Sequence, residues 1–232
     1  MTQPTGFAVA IDGPAGVGKS TAAKIVAKNL GMTYIDTGSM YRAIALYNVR
    51  QGINIQNEAN VTATLPFIKI NLTPGRIYLN GEDVSEAIRT QAISDATSTI
   101  APYPAVREML STKQKEIAAT GQVVMDGRDI GSYVLPWAQV KIYLDADSGI
   151  RAARRAAELA KKGQPVDITQ IRQEIEERDH RDKTRSHSPL VKAKDAICID
   201  TGHMTIEEAV TTITMHIEAA RRKQCSIDSQ ED

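Results

Sequence analysis

The segment Gly13-Pro14-Ala15-Gly16-Val17-Gly18-Lys19-Ser20 constrains this chain more than any other part of it. A complete GxxxxGK[ST] run between an apolar stretch and a helix-patterned one reads as strand, phosphate loop, helix. Phe7 to Ile11 supplies the apolar run, and Thr21 to Leu30 carries helix-forming residues in an amphipathic pattern. Glycines let successive backbone N–H groups turn inward around phosphate oxygens, and the following helix offers its unpaired N-terminal donors to the same charge. Residues Gly13 through Ser20, with Thr21, are therefore expected to hold the phosphates of a nucleotide such as ATP. Within them, Lys19 is expected to reach the β- and γ-phosphates and Ser20 to give its hydroxyl to Mg²⁺. Asp12 suits either orienting the loop or holding a metal-bound water, and the sequence leaves both open. A glycine-rich connector with a solvated lysine is the bland alternative, which the strand–loop–helix setting disfavours.

A second βα unit follows, with Met32 to Ile35 as a strand, Asp36-Thr37-Gly38-Ser39 as its end, and helical periodicity from Met40 to Val49. Val123 to Met125, Val140 to Leu144 and Ala196 to Ile199 are further strands, and their continuous apolarity predicts a parallel sheet buried on both faces. Cys198 is expected to fill such a strand, and Cys225 to lie near a polar tail. From Leu65 to Ser85 the rhythm changes to short antiparallel strands around Thr73-Pro74-Gly75-Arg76, which predicts a small inserted domain. Arg151 to Lys162 is a basic helix, Gly163-Gln164-Pro165 interrupts it, and a second helix covers the Ile168 to Arg185 region. A final helix spans Ile206 to Ala220, with Ile206, Ala209, Val210, Ile213 and Ile217 as core contacts, and fraying is expected from Arg221 onward. The expected organisation is α/β: a core begun by residues 1–62, an insertion over 63–100, the rest of the core over 101–225 with a lid at about 151–185, and a tail at 226–232.

The 232 residues are 42% hydrophobic, and 28 basic side chains balance 28 acidic ones. A nucleic-acid partner would need a local basic patch, and the few aromatics provide no stacking cluster, so no nucleic acid is expected. No signal-like start and no apolar run near the roughly 20 residues of a bilayer span is present, so a cytoplasmic enzyme without a membrane partner is the default. The two cysteines and four histidines make no metal-ligand spacing.

Arginine supplies the second signal, at Arg42, Arg107, Arg128, Arg151, Arg154, Arg155, Arg178, Arg181 and Arg185. Phosphoryl transfer needs several positive donors, because charge spreads over the transferring group and two phosphate-bearing reactants repel one another. No NKxD tetrad for guanine is present. Asp126-Gly127-Arg128-Asp129 follows a predicted strand, where α/β sheets bind ligands, although a surface turn with a local ion pair gives the same pattern. Arg178, Asp182 and Arg185 share one helix face, as an ordinary solvated charged helix also does. Arg151, Arg154 and Arg155 precede the Gly163/Pro165 interruption, where a mobile basic lid would cover ATP and exclude water, with Arg154 in the ATP-binding set. His180 lies beside this face and is not expected to be catalytic.

The blocks IDGPAGVGKST, YIDTGSMYRA, GEDVSEAIRT, DGRDIG, KIYLDA and ERDHRDKTR together resemble the bacterial cytidylate kinase family over nearly the whole chain. The resemblance implies a P-loop NTPase fold with an adenylate-kinase-like core, a five-stranded parallel sheet, a monophosphate-binding insertion and a closing arginine-rich lid. It implies a monomer that transfers the ATP γ-phosphoryl group, with Mg²⁺, to CMP and dCMP. By that resemblance Thr37, Tyr41 and Arg42 lie beside the acceptor, Ser98 touches the cytosine edge, and Arg107 clamps phosphate. Arg128 and Asp129 lie near phosphate and the pentose or base, and Arg178, Asp182 and Arg185 join acceptor recognition to phosphoryl positioning. Lys19, Arg128, Arg178 and Arg185 form the implied catalytic set. Thr37 stands where some relatives carry serine, which keeps the hydroxyl and adds a methyl group. A kinase preferring UMP or AMP, a nucleotide-dependent nucleic-acid module, and an inactive P-loop used for binding are the competing readings.

Overall fold

The computed structural model of the chain describes residues 6–161, 163 and 165–228. Lys162 and Gln164, both in or beside the predicted lid interruption, and the tail beyond Asp228 lie outside the described residues, as does the Cys225 side chain. In chain order the strands are β1 (Ala8–Asp12), β2 (Thr33–Asp36), β3 (Ile70–Thr73), β4 (Arg76–Leu79), β5 (Glu82–Asp83), β6 (Val123–Gly127), β7 (Val140–Asp145) and β8 (Ile197–Asp200). Five of them form one parallel sheet in the order β2-β6-β1-β7-β8, and β3-β4-β5 form a separate antiparallel sheet.

Alternation along β1 divides the core. Val9 and Ile11 face α1 (Lys19–Asn29) and α8 (Ile206–Asp228), packing with Val26, Ile142, Ile213 and Ile217. Ala8 and Ala10 face the other way, against Met125, Ile130, Leu135 and Ala118. The small residues on that side admit a tight turn and α5 (Pro104–Thr120) close to the sheet. Burial on both faces holds for β1 and β6 and not for the edges. Because β8 pairs on one side alone, Cys198 is exposed there and does not fill the interior.

The segment with the small sheet has no core of its own. Ile70, Ile77, Ile88, Ile93 and Ile100 pack with Met40 and Ile44 of α2 (Thr37–Arg50) and with Leu110 of α5. Between them lie α3 (Glu58–Thr64), capped by the Asn57 side chain, and α4 (Gln91–Ile100), capped by Thr90. The basic pair is α6 (Ser148–Lys161) and α7 (Ile168–Thr184), joined by a thin apolar seam of Ala152, Ala156, Ile171 and Ile175. The final helix continues past Ala220, where the sequence predicts fraying. Arg221 stacks 5.4 Å from the Phe7 ring centre and donates to Gln122 at 2.7 Å, and its neighbours are good helix formers. Among the described residues no helix is long and apolar enough to cross a membrane.

Strand ends bring Asp36 opposite Asp126 and, one residue further along, Asp12 opposite both Gly127 and Tyr143 at one edge of the sheet. The phosphate loop leaves from that edge through Gly13, whose φ of 147° and position 2.1 Å, at an added Cβ, from the Leu144 carbonyl oxygen exclude any side chain. Gly13→Ala is expected to destabilise the fold by about 1–3 kcal/mol or more through backbone strain alone. Urea unfolding of the variant and parent checks this, read as a lower midpoint at unchanged slope.

Candidate active site

The phosphate loop opens α1 with Gly18 in the left-handed region (φ 91°) and with no side-chain cap, so the first N–H groups of the helix remain available to an anion. Lys19 is buried, and its ammonium donates to the Pro14 carbonyl within the same loop. Burial first, then the Arg128 charge, pushes its pKa well below the usual lysine value, against the pull of Asp126 and Asp12. The Ser20 hydroxyl donates to Asp126 Oδ2 at 2.6 Å, and Tyr34 donates to Oδ1 at 2.9 Å. Burial, then Asp36, pushes the Asp126 carboxyl up to about 6.

The basic helices hold the loop from above. Arg151 donates to the Ala15 and Ala146 carbonyls, each at 2.9 Å, and pairs with Asp179 at 2.7 Å. Asp179 in turn accepts from the Ala15 N–H at 3.4 Å. Arg151 is thus a fixed brace of the loop. Arg155 is half-buried, away from the loop, and pairs with Glu158 at 3.3 Å. Arg154 donates to the Thr201 carbonyl at 2.6 Å, and with Val17, Gly18, Thr21, Leu144 and Met204 it lines a cleft of about 210 Å³ beside the start of α1.

On the other side of Lys19 an ionic network joins three parts of the chain. Asp129 pairs with Arg107 of α5, and at 3.4 Å with Arg185, just past α7. Asp182 pairs with Arg128 at 3.0 Å and with Arg185 at 3.6 Å. Burial pushes the Asp182 carboxyl up, but Arg128, Arg178 and Arg185 outweigh it and hold it below the usual range. Tyr41 lies under Arg107, 5.6 Å from ring centre to guanidinium, and burial pushes its hydroxyl up to about 12.

Arg42 and Arg178 complete the group without an ion pair or hydrogen bond among the described residues. Burial pulls both down, Arg178 to about 10 with Arg128 adding to the shift. The Arg107 Nε–H is also buried with no acceptor among the described residues. A concentration of cations that the protein leaves partly unmatched is an anion site.

Two expected positions stand apart. The Thr37 hydroxyl is buried and donates to the Asp126 carbonyl at 2.6 Å, tying α2 to β6. Ser98, on α4, donates to the Ser94 carbonyl at 3.1 Å and lies outside the ionic network. His180 and Arg181 lie on the exposed side of α7 with Glu176 and Glu177. Sequence reasoning assigns Asp126 and Tyr34 no role. The available signal is an acid closing an apolar strand, Val123-Val124-Met125-Asp126, in a chain with a phosphate loop.

A parallel sheet whose first strand runs into an uncapped phosphate loop, with a buried lysine facing an arginine cluster, defines a P-loop phosphotransferase. Residues 9–219 match the family model described as cytidylate kinase. The chain belongs to the cytidylate kinase family and is an enzyme of that class. A cytidylate kinase from Pediococcus pentosaceus is 46% identical over 94% of this chain and 98% of its own length. One from Lactiplantibacillus plantarum is 48% identical over 88% and 92%, and one from Pelotomaculum thermopropionicum 47% over 93% and 97%.

Lys19→Met nearly conserves side-chain volume and removes a buried ammonium that no carboxylate contacts among the described residues. The ligand-free variant is expected to melt no lower than the parent while losing about 100-fold or more in transfer rate. Calorimetry beside an ADP-release assay checks both halves, and near-parental turnover in a folded variant would contradict the role of Lys19.

Proposed function

We propose that the chain transfers the γ-phosphoryl group of ATP, in line, onto the phosphate of CMP or dCMP. The observation that carries this reading is the set of cations without an ion-pair partner among the described residues, the buried Lys19 and the half-buried Arg42 and Arg178, beside the Asp129–Asp182 network. Two phosphate groups that repel each other need such a bridge of positive charge.

In this reading residues 13–21 hold the donor phosphates, and the cleft beside Arg154 takes the rest of ATP. Lys19 follows the transferring group, and Arg128, Arg178 and Arg185 meet the charge that spreads over its oxygens. Arg107, whose Nε–H lacks an acceptor among the described residues, clamps the acceptor phosphate with Arg128 and Arg42, and Thr37 and Tyr41 shape that side. The acceptor phosphate is already an anion, so no strong general base is required.

Ser20 and Asp126 present only oxygen atoms, 2.6 Å apart, a donor set that fits a hard cation. Ser20 would hold Mg²⁺ directly and Asp126 through water. When bound, Mg²⁺ neutralises the β- and γ-phosphate oxygens.

Cytosine is distinguished from uracil by its amino edge, which donates where uracil accepts. Asp129 and Asp182 each have acceptor capacity beyond their arginine pairs, since a carboxylate offers about four lone-pair sites. Ser98, from the 63–100 segment, joins them at the cytosine edge, and α6–α7 close over ATP as a lid. Every residue assigned lies on one chain, so a monomer is sufficient.

Comparing kcat/KM for CMP, dCMP, UMP and AMP at saturating ATP tests the reading. CMP and dCMP are expected to exceed UMP by about 10- to 100-fold, the effect of one unsatisfied buried polar pair. A lead for UMP or AMP would reject the cytidine assignment. Asp182→Asn is expected to shrink the CMP lead, and a chelator of divalent cations to stop transfer reversibly.

A further inference from the structure

Asp12 closes β1 one residue before the phosphate loop and is buried. Both its oxygens are committed in one direction: Oδ1 accepts the Ile130 N–H at 2.8 Å and Oδ2 the Gly131 N–H at 2.7 Å. These two groups start the π turn Ile130–Val134, and the first N–H groups of a helical turn have no partner inside it. The turn closes behind them, with the Val134 N–H on the Asp129 carbonyl at 3.1 Å and the Leu135 N–H on the Ile130 carbonyl. A carboxylate from another strand therefore caps the turn, and the residues just before it are Arg128 and Asp129.

The β1–β6 ladder ends at the pair Asp12 and Gly127, so the strands' own hydrogen bonds do not position Arg128, Asp129 or the turn. Space is also tight there. A Cβ at Gly127 would lie 2.7 Å from Ile130, and one at Gly131 would lie 3.2 Å from Lys141. The turn can seat in one way, and the Asp12 carboxylate registers that seat against the phosphate loop.

We infer that Asp12 is a positioning residue, setting the spacing between the loop that holds the donor and the Arg128–Asp129 pair that holds the acceptor. The identity of the two sides rests on the proposed function; the capping contact does not. Misplacement of reacting groups by about 1 Å is enough to cost on the order of 100-fold in rate. An amide in place of the carboxylate keeps the shape but offers one acceptor and turns an NH₂ toward an N–H.

Asp12→Asn is expected to lower kcat with CMP about tenfold or more and to raise the CMP KM severalfold. The ATP KM should stay within about twofold, because the loop's own donors remain. Amide exchange at Ile130 and Gly131 should accelerate by about tenfold or more. Parental kcat and CMP KM in the folded variant, whatever its melting temperature, would overturn the inference, as would an equal rise in both KM values. Should Asp12→Asn not fold, Asp12→Glu keeps the charge and displaces it by one methylene; the same kinetic split is expected, and parental kinetics would again overturn it. If the parent enzyme does not phosphorylate CMP, the proposed function fails, while unchanged amide exchange in the variant would separately remove the positioning role.

Discussion

Lys19 sits under a backbone carbonyl at the end of a buried strand, with burial and then Arg128 depressing its pKa and no carboxylate in direct contact among the described residues. Holding an ammonium there is unfavourable, and much of the surrounding structure exists to sustain it. The loop that carries it is braced through Ala15 by Arg151 and Asp179. The strand before it is buried on both faces, so the site cannot relax by shifting the backbone. The anion that this charge awaits is therefore met by a rigid cradle, which is the condition under which fixed charges contribute most to a transition state.

Carboxylates divide the remaining work. Asp126 holds the Ser20 hydroxyl and is itself oriented by Tyr34. Asp129 and Asp182 keep Arg107, Arg128 and Arg185 ordered, so these long side chains do not lose their rotamer freedom at the moment of binding. Among the described residues Asp12 binds only backbone N–H groups. The acids near the site thus act on three kinds of partner, a hydroxyl, guanidiniums and the chain itself, and none sits against the Lys19 ammonium.

Much of this was legible in the sequence because the signals were local. The phosphate loop is a contiguous motif whose strand and helix flank it, and the central strands are apolar runs long enough to read. The helix face of Arg178, Asp182 and Arg185 follows from spacing, although the pairing of Asp182 with Arg128 and of Arg185 with Asp129 needed the fold. The features that escaped depend on distant partners. Arg151 and Arg155 look alike in a basic run, yet one meets Asp179 and the loop while the other pairs with Glu158 on its own helix. The exposure of Cys198 follows from strand order, which no residue of β8 encodes. The π turn after Asp129 has no composition of its own, since its first donors are satisfied by an acid more than a hundred positions earlier.

The two segments that flank the cleft are attached in different ways. Residues 63–100 share a continuous apolar core with α2 and α5, so displacing them as a body would open that core. Among the described residues the α6–α7 pair has four buried apolar residues between its helices, with Leu159 partly buried against them, and its tie to the loop is polar, through Arg151, Asp179 and Ala15. Polar contacts at one point resist translation but permit rotation, whereas interdigitated side chains resist both. The pair has several such polar ties, to Ala15 in the phosphate loop, to Thr201 through Arg154 and to Arg128 through Asp182, and a swing must turn about or break them. The tie to Ala15 lies among the loop N–H groups that the proposed function gives to the donor phosphates, and it runs through Asp179 of α7, the helix that also carries Arg178 and Asp182.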